Sequence, residues 1–369
     1  MGEMKERIIM GDISIFTKES PVLTAIWKHW AKTQETEKPR RYLGASAIGH
    51  ECDMFLWLGF RGLAKSTFSP RMYRLLNRGH REEQVFVDEL RGAGCKVWDT
   101  DPQTGLQWEF DDIGGHFRGH PDGVGLGIPG AEKTPHILEF KTHSLTSFNK
   151  LEKEGVEKSK PQHYAQVQVC MGAMHIERAL YMAVNKNTDD LYCERIKFNK
   201  DAYTSLMKRA KKIITGYNAQ RCATRPEDYR CNMCSYKDVC WNTEERLVML
   251  EKGCAIDCRS CCHAAPIIDE DGARWSCGVG KATVIGRPAK CSDHIFLPTI
   301  VFADTADAGA DWTKFQLEDG STFMHGGKSS ATAFSSDELA IMTIESMQNE
   351  AVRAAKEAFG GKVTQVERV

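Results

Sequence analysis

The 369-residue chain lacks long apolar runs and carries almost no net charge. No stretch approaches the ~18 consecutive apolar residues that a membrane span needs, and residues 1–7 lack the apolar core of a signal peptide. We therefore expect a cytoplasmic protein that does not enter a membrane. The chain has 49 basic and 50 acidic residues, and the resulting net charge of −1 argues against a general affinity for polyanions. It also lacks a flavin or nicotinamide fingerprint, which argues against an iron–sulfur redox enzyme.

The distribution of charge is more informative than its sum. Between Arg61 and Arg81 the sequence has six Lys or Arg residues and no Asp or Glu. A second basic cluster comprises Lys208, Arg209, Lys211 and Lys212. Nucleic-acid binding and a solvated helix face explain such clusters equally well, so the clusters alone do not decide between them.

Cysteine, by contrast, is abundant and crowded. Ten of the 14 cysteines lie between Cys222 and Cys291. In a reducing compartment such crowding indicates metal ligands rather than disulfides. Cys231, Cys234 and Cys240 form a tight first group, which needs a fourth ligand to bind either zinc or a [4Fe–4S] cluster. Cys222 is one candidate for the fourth ligand of a zinc site.

A second cysteine group lies nearer the C-terminus. Its spacing is typical of a small zinc ribbon or knuckle. The favoured ligands are Cys258, Cys261, Cys277 and Cys291, with His294 as the substitute for one of them. Cys254, Cys258 and Cys261 also have the spacing found in radical-SAM enzymes. Only 108 residues follow Cys261, too few for the barrel that such chemistry uses.

One strand carries an unusual pair of charges. In residues 136–142, Leu138 and Phe140 point to one face, and Glu139 and Lys141 point to the other. Burying charged side chains on a strand that is otherwise apolar costs free energy unless they bind a partner. Asp122, in the preceding Pro-Asp-Gly turn, and Glu139 are hard oxygen ligands that suit a divalent cation, with Lys141 as a nearby positive charge. An exposed Glu–Lys ladder is the alternative.

The remaining pattern predicts an α/β domain with a mixed sheet flanked by helices. We predict helices at 20–33, 46–59, 70–90, 145–155, from 161 onward, and 200–217, and strands at 95–99, 105–110, 115–120, 122–126, 136–142, 178–184 and 190–198. The first five strands are expected to form a meander. Ser335 and Glu338 form a capping box that predicts one helix extending to about Phe359.

Two helices add polar residues to the candidate site. Gly79, Glu83, Phe86 and Leu90 share one face of the helix at 70–90, so Glu83 is a carboxylate on the apolar side. We expect Gly79 to allow a close approach there, although a Glu at the edge of the core is the simpler reading. On the helix after Pro161, the residues that share a face are Gln162, Gln166 and Cys170.

Together these residues resemble the PD-(D/E)xK nuclease superfamily, in its lambda-exonuclease and RecB-like branch, over about residues 42–245. The resemblance implies a restriction-endonuclease-like fold and metal-dependent DNA exonuclease activity. It also implies that Asp122, Glu139 and Glu83 hold Mg²⁺ or Mn²⁺, with His80 as the alternative to Glu83 and the Phe140 carbonyl as a further ligand. Lys141 would act on the attacking water, and Gln166 would position the substrate or Lys141. Cys170 departs from the family pattern, which often has tyrosine there.

The first cysteine group resembles that of iron-staple nucleases, including the CRISPR-associated RecB-like exonucleases and the AddB-type helicase-nucleases. In these proteins one cysteine before the nuclease core joins three after it. The resemblance implies a [4Fe–4S] cluster on Cys52, Cys231, Cys234 and Cys240. It further implies DNA as substrate and a phage origin, which would place the protein in the host cytoplasm. A recombination or single-strand-annealing protein and a second copy of the chain are the partners it allows.

The predicted organisation has four parts. A helical segment at 1–41 precedes the nuclease domain at 42–245, which is followed by a zinc module at 246–300 and a C-terminal segment at 301–369. The alternative function is a non-catalytic DNA-binding or adaptor protein that uses the cysteine-rich tail for recognition. The intact set of Asp122, Glu139 and Lys141 argues against this alternative.

Overall fold

The helices and strands of the computed structural model follow the predicted order closely within residues 42–245. The structure describes residues 20–35, 40–66, 68–279 and 291–365. The helices are α1 Pro21–Glu35, α2 Asp53–Arg61, α3 Pro70–Gly92, α4 Leu145–Ser159, α5 Pro161–Ala173, α6 Lys200–Thr215, α7 Tyr229–Asn232, α8 Lys237–Trp241, α9 Ser336–Leu339, α10 Ile344–Gln348 and α11 Glu350–Phe359. In the described ranges, none of them has the length and apolar character that crossing a bilayer requires.

The strands form a central sheet and smaller sheets beside it. They are β1 Leu43–Gly44, β2 Lys96–Trp98, β3 Phe110–Asp112, β4 Phe117–Gly119, β5 Gly123–Leu126, β6 His136–His143, β7 Arg178–Asn185, β8 Leu191–Lys197, β9 Ala264–Pro266, β10 Trp275–Cys277, β11 Asp304–Ala308, β12 Trp312–Gln316 and β13 Thr322–Gly326. The central sheet has the order β2-β5-β6-β7-β8, and only the β6–β7 pair is parallel. The prediction of a mixed sheet flanked by helices is confirmed.

The alternation of side chains along β6 divides the core between the two faces of this sheet. Leu138 and Phe140 pack against Phe86 and Leu90 of α3 on one face. Ile137 belongs to the larger core on the opposite face, together with residues of α5 and β7. Because strand residues alternate with period two, Glu139 and Lys141 share the face of Ile137, as the sequence predicts.

The expected five-strand meander is wrong in its middle. β3 and β4 leave the central sheet and pair with β1 in a separate sheet of order β1-β4-β3. The reason is that the segment around β1 provides a parallel partner for β4. The N–H of Leu43 donates to the His116 carbonyl, and that of Ala45 donates to the Arg118 carbonyl, each at 2.8 Å.

The helix predicted to start at Ser46 starts later, at Asp53. The preceding residues form turns, and their carbonyl groups accept hydrogen bonds from an arginine that is distant in sequence. Arg209 of α6 donates to the carbonyls of Ile48 and His50, both at 2.6 Å, and its Nε donates to Asp53 at 2.8 Å. These bonds replace the intrahelical pattern and hold the turns against α6.

The turn between β3 and β4 connects this part of the chain to the cysteine-rich tail. Gly114 has a left-handed φ of 67°, and a Cβ there would lie 2.4 Å from the Ile267 carbonyl oxygen. Its own carbonyl accepts from the N–H of Ala273 at 2.8 Å. Only glycine therefore allows the two backbones to approach this closely.

The single C-terminal helix predicted from the capping box is broken into three. The capping box of Ser335 and Glu338 is present, but the helix that it starts ends at Leu339. Thr343 and Asn349 then cap new helices, because their side chains accept hydrogen bonds from N–H groups two or three residues later. The helical segments fold back so that α11 packs near α9, and Lys356 of α11 forms a buried ion pair with Glu338 at 2.7 Å.

Replacing Lys356 by alanine should destabilise the fold strongly. Both side chains are almost fully buried, and removing the ammonium leaves the Glu338 carboxylate without its counter-charge. We expect the free energy of unfolding to fall by about 3–5 kcal/mol, measured by urea denaturation. The matched control is Lys362→Ala, whose pair with Asp337 is half-exposed and should contribute less than about 1 kcal/mol. Equal losses in the two variants would contradict this account.

Candidate metal-binding and catalytic site

Asp122 is fixed between two strands of the central sheet. It immediately precedes β5, and its N–H donates to the Leu138 carbonyl at 3.2 Å. Its Oδ2 accepts a hydrogen bond from the backbone N–H of Phe140 at 2.6 Å. A Cβ at Gly123 would lie 2.9 Å from the Trp98 carbonyl oxygen, so glycine is needed for this close turn. The carboxylate of Asp122 is thereby held beside Glu139.

Glu139 is a completely buried carboxylate with one well-defined partner. Its side chain has no exposed area, and Gln166 of α5 donates to its Oε2 at 2.9 Å. Its Oε1 lies against the ammonium of Lys141 but makes no well-oriented hydrogen bond with a described residue. The Lys141 ammonium also donates to the Phe140 carbonyl at 3.1 Å and remains partly exposed.

The ionisation of this group reflects burial first and neighbouring charges of both signs second. Burial raises the pKa of Glu139, the charge of Lys141 opposes the shift, and the charge of Asp122 adds to it. Burial alone would lower the pKa of Lys141, but the neighbouring Glu139 and Asp122 outweigh it and raise that pKa. Carboxylates that raise one another's pKa would be stabilised in their ionised form by a bound cation.

Glu83 reaches this group from α3. Burial raises its pKa, and the charge of Asp122 raises it further, while Lys141 lowers it. His80, the alternative predicted ligand, lies 3.3 Å from the Glu83 carboxylate and is largely exposed. A Cβ at Gly79 would meet no described atom within 4 Å, so the expected close approach at Gly79 is wrong. Glu83 is therefore the better placed of the two candidates.

The residues present fit a divalent cation. Glu83, Asp122 and Glu139 provide hard oxygen ligands, and Oε1 of Glu139 is paired with the ammonium of Lys141. Gln166 is buried and keeps the Glu139 carboxylate oriented. Cys170 is fully buried on the same helix.

A hydrogen-bonded network next to the site was missed by the sequence analysis. The hydroxyl of Tyr181 lies 2.9 Å from Nε2 of His143 and 2.8 Å from Nδ1 of His163. Burial lowers the pKa of His143 to about 4 and that of His163 to about 3, so both are neutral near Lys141. His143 could have been found from the alternation of β6, because it follows Glu139 and Lys141 on the same face.

Five cysteines come together in a separate pocket. Cys52, Cys222, Cys231, Cys234 and Cys240 line a small pocket that is partly open to solvent. Cys52 is the N-cap of α2, whereas Cys231, Cys234 and Cys240 belong to α7, α8 and the turn between them. The predicted set of four therefore meets in space, together with Cys222. Arg221 donates to the sulfur of Cys240 at 3.3 Å.

In the tail, backbone contacts hold the four cysteines that were predicted as zinc ligands in one region. Cys277 on β10 pairs with Ala264 on β9, and Ala264 lies three residues after Cys261. The N–H of Cys262 donates to the carbonyl of Ile295, which follows the turn that starts at Cys291. An interaction with the Cys262 side chain, aided by backbone N–H groups, lowers the pKa of Cys261 to about 7 against the effect of burial. This environment favours a thiolate.

Both ring nitrogens of His294 have hydrogen-bond partners in this region. Its Nδ1 lies 2.7 Å from the Ser336 hydroxyl, and its Nε2 lies 3.1 Å from both the Ser260 hydroxyl and the Asp257 carbonyl. Because both ring nitrogens have protein partners, Cys277 is favoured over His294 as the fourth ligand.

The side chains are not yet arranged around a metal at any of these places. In the parts of the chain that the structure describes, no group of three or more His, Cys, Asp or Glu side chains stands close enough to hold a metal ion. Metal binding would therefore require the side chains to move. The backbone contacts described above determine which residues could take part.

The two basic clusters have different surroundings. Arg209 is used internally, as described above, whereas Lys208 and Lys211 are exposed. Arg71, Arg74, Arg78 and Arg81 share one face of α3. Helical spacing places this face opposite to Glu83, so the arginines do not line the carboxylate group.

Manganese should stabilise the folded protein through this carboxylate group. At a concentration of Mn²⁺ about 100 times its dissociation constant, binding stabilises the fold by about 2.7 kcal/mol and raises the melting temperature. Asp122→Asn should remove most of this rise. The control is Asp111→Asn, which changes an exposed carboxylate on β3 and should leave the rise intact. A rise that is unchanged in the Asp122 variant would refute this metal site.

The chain was also compared with known proteins. No protein-family model and no curated protein matches it. Similar solved structures include SSO0001, with a TM-score of 0.38 and 12% identity over 60% of this chain and 97% of that chain. They also include LHK-Exo in complex with dAMP, with a TM-score of 0.31 and 13% identity. A further structure, of an alkaline exonuclease (LHK-Exo) from Laribacter hongkongensis, has a TM-score of 0.31 and 14% identity. Both LHK-Exo structures cover 50% of this chain and 90% of their own. Such low TM-scores and identities by themselves assign neither a family nor an activity to this chain.

Proposed function

We propose that the chain is a metal-dependent DNA nuclease of the exonuclease type. The observation that carries this proposal is the position of Asp122, immediately before β5, beside Glu139 on the neighbouring antiparallel strand β6. Lys141 lies on the same face as Glu139, and Gln166 holds the Glu139 carboxylate. A buried carboxylate with this much negative charge around it costs free energy, and a bound cation would offset that cost.

Glu83, Asp122, Glu139 and the Phe140 carbonyl would hold Mg²⁺ or Mn²⁺. When bound, such a cation lowers the pKa of a coordinated water and offsets charge on a scissile phosphate. Oxygen ligands of this kind suit both ions.

The protein's own residues would orient the reaction. Lys141 is charged and partly exposed, so its ammonium can donate to a phosphate oxygen or to the attacking water. Gln166 keeps the Glu139 carboxylate in place, which leaves the Oε1 atom directed toward Lys141. The exposed Lys208, Lys211 and the arginine face of α3 are available for phosphates farther along the DNA, which would make affinity fall with salt.

The cysteine pocket is proposed to hold a [4Fe–4S] cluster on Cys52, Cys231, Cys234 and Cys240. Cys52 lies 179 residues before Cys231, so a shared cluster would join the two ends of the nuclease region. By analogy with long-loop cross-links, this could stabilise the fold by about 4 kcal/mol. The role is structural, because the pocket and the carboxylate group have no lining residue in common.

The tail is proposed to hold one zinc ion on Cys258, Cys261, Cys277 and Cys291. The lowered pKa of Cys261 and the backbone contacts that bring the other three cysteines near it support this ligand set. A phage origin, a cytoplasmic location and a recombination or single-strand-annealing partner remain proposals that rest on the sequence resemblance.

Alanine at Asp122, Glu139 or Lys141 should abolish DNA hydrolysis without unfolding the protein. The assay is digestion of end-labelled single- and double-stranded DNA with Mg²⁺, Mn²⁺ or EDTA. We expect rate losses of at least about 100-fold for these three variants, and about 10–100-fold for Gln166→Ala, which removes only an orienting hydrogen bond.

The matched control for the lysine is Lys133→Ala. Lys133 is exposed in the turn between β5 and β6 and should not affect the rate. Variants of Asp122 and Glu139 that cleave at the wild-type rate would end the catalytic assignment. Wild-type protein that binds DNA without cleaving it would favour the alternative of a non-catalytic DNA-binding protein.

Metal analysis of the full-length protein, purified without oxygen, should find about four irons and one zinc per chain. Such protein should be brown. Cys231→Ala should lose iron and colour and melt at a lower temperature, because the cross-link between the ends of the nuclease region is lost. Cys193→Ala, which changes an exposed cysteine on β8, should retain full iron content. Colourless wild-type protein with zinc in place of iron would disprove the cluster.

A further inference from the structure

The cysteine pocket contains one thiol more than a [4Fe–4S] cluster uses. A cluster of this kind takes four cysteine ligands, whereas five cysteines line the cavity. Cys231, Cys234 and Cys240 belong to one short stretch, in which the N–H of Cys234 donates to the Cys231 carbonyl at 3.2 Å. The other two, Cys52 and Cys222, come from separate parts of the chain.

Cys52 and Cys222 are brought together by the backbone. The N–H of Met54 donates to the Gln220 carbonyl at 3.0 Å, which satisfies an N–H group at the start of α2. Cys52 lies two residues before Met54, and Cys222 lies two residues after Gln220. Cys52 itself has an extended conformation, with φ −102° and ψ 115°.

The side chains of Cys52 and Cys222 line the same pocket, and both are shielded from solvent to some extent. Burial raises the pKa of the Cys222 thiol, and the neighbouring Cys52 side chain is the next largest cause. Cys52 is 9% exposed, and Cys222 is intermediate in exposure. Arg230 also lies near Cys222 and provides a positive charge. A disulfide requires two Cβ atoms about 4 Å apart, so it can form only where the backbones of both cysteines are held near each other, as they are here.

We propose that Cys52 and Cys222 form a disulfide when no cluster occupies the pocket. The disulfide would replace the cluster as a covalent connection between α2 and the segment that precedes α7. The two cysteines are 170 residues apart, so the bond would restrict the unfolded chain nearly as strongly as the cluster. The pocket would then retain its shape and its other three thiols until a cluster is inserted.

The oxidation is balanced by a disulfide donor such as oxidised glutathione. One protein thiolate attacks a glutathione sulfur, which forms a mixed disulfide and releases one glutathione thiol. The second protein thiol then attacks the mixed disulfide and releases the other glutathione. In total, two protein thiols lose two electrons and two protons, and one oxidised glutathione becomes two reduced molecules. Reversal by a dithiol would free Cys52 again as a cluster ligand.

The test uses the full-length protein after iron has been removed with a chelator. The reduced protein is incubated with oxidised glutathione, the remaining thiols are alkylated, and disulfide-linked peptides are identified by mass spectrometry. We expect a linked pair that contains Cys52 and Cys222 as the main product. The oxidised protein should melt about 5 °C higher than the reduced protein.

Two variants make the result specific. Cys222→Ser should lose both the linked peptide and the rise in melting temperature, while Cys193→Ser should keep both. A Cys52 that stays reduced, or one that pairs mainly with Cys231 or Cys234, would overturn the proposal. The experiment requires neither nuclease activity nor a bound cluster, so its failure is distinct from a failure of the proposed function.

Discussion

The structure of the candidate site depends on one constraint, which is the burial of the Glu139 carboxylate in the central sheet. A charge in that position needs partners, and the surrounding elements provide them. Gln166 comes from α5, Lys141 follows two residues later on β6, and Asp122 is held at the start of β5 by the backbone of Leu138 and Phe140. These contacts set the register between β5 and β6, so the chemistry and the sheet are specified by the same residues.

A second constraint is the connection between distant parts of the chain. Arg209 holds the turns before α2, and the cysteine pocket brings the N-cap of α2 to the stretch at 231–240. Arg61, at the end of α2, is fully buried and donates to the carbonyls of Gly216 and Arg259 at 2.7 and 3.1 Å. The same short helix is therefore held by α6 and the residue that follows it, by the cysteine pocket and by the tail, which explains why so many buried polar contacts converge on it.

The sequence predicted the parts of the structure that depend on local pattern. The alternation along β6 correctly placed Leu138 and Phe140 opposite Glu139, and the three closely spaced cysteines Cys231, Cys234 and Cys240 line one pocket. The prediction failed where contacts between residues distant in sequence override the local preference for a helix or strand. Arg209 binds the turns at the place where a helix was expected to start at Ser46. β4 pairs with β1 instead of joining the meander. The C-terminal helix is broken, and Lys356 forms an ion pair between two of its parts. The contacts of Tyr181 with two histidines join three elements, so no single stretch of sequence shows them.

The central claim is that Asp122 and Glu139 jointly bind a divalent cation. Crystals of the protein grown with Mn²⁺ would test it most directly, by anomalous diffraction near the manganese absorption edge. The account predicts an anomalous peak within coordination distance of both carboxylates, close to the Phe140 carbonyl and absent from crystals of Asp122→Asn. Well-ordered Asp122 and Glu139 side chains with no anomalous peak between them, in crystals grown with Mn²⁺, would contradict it.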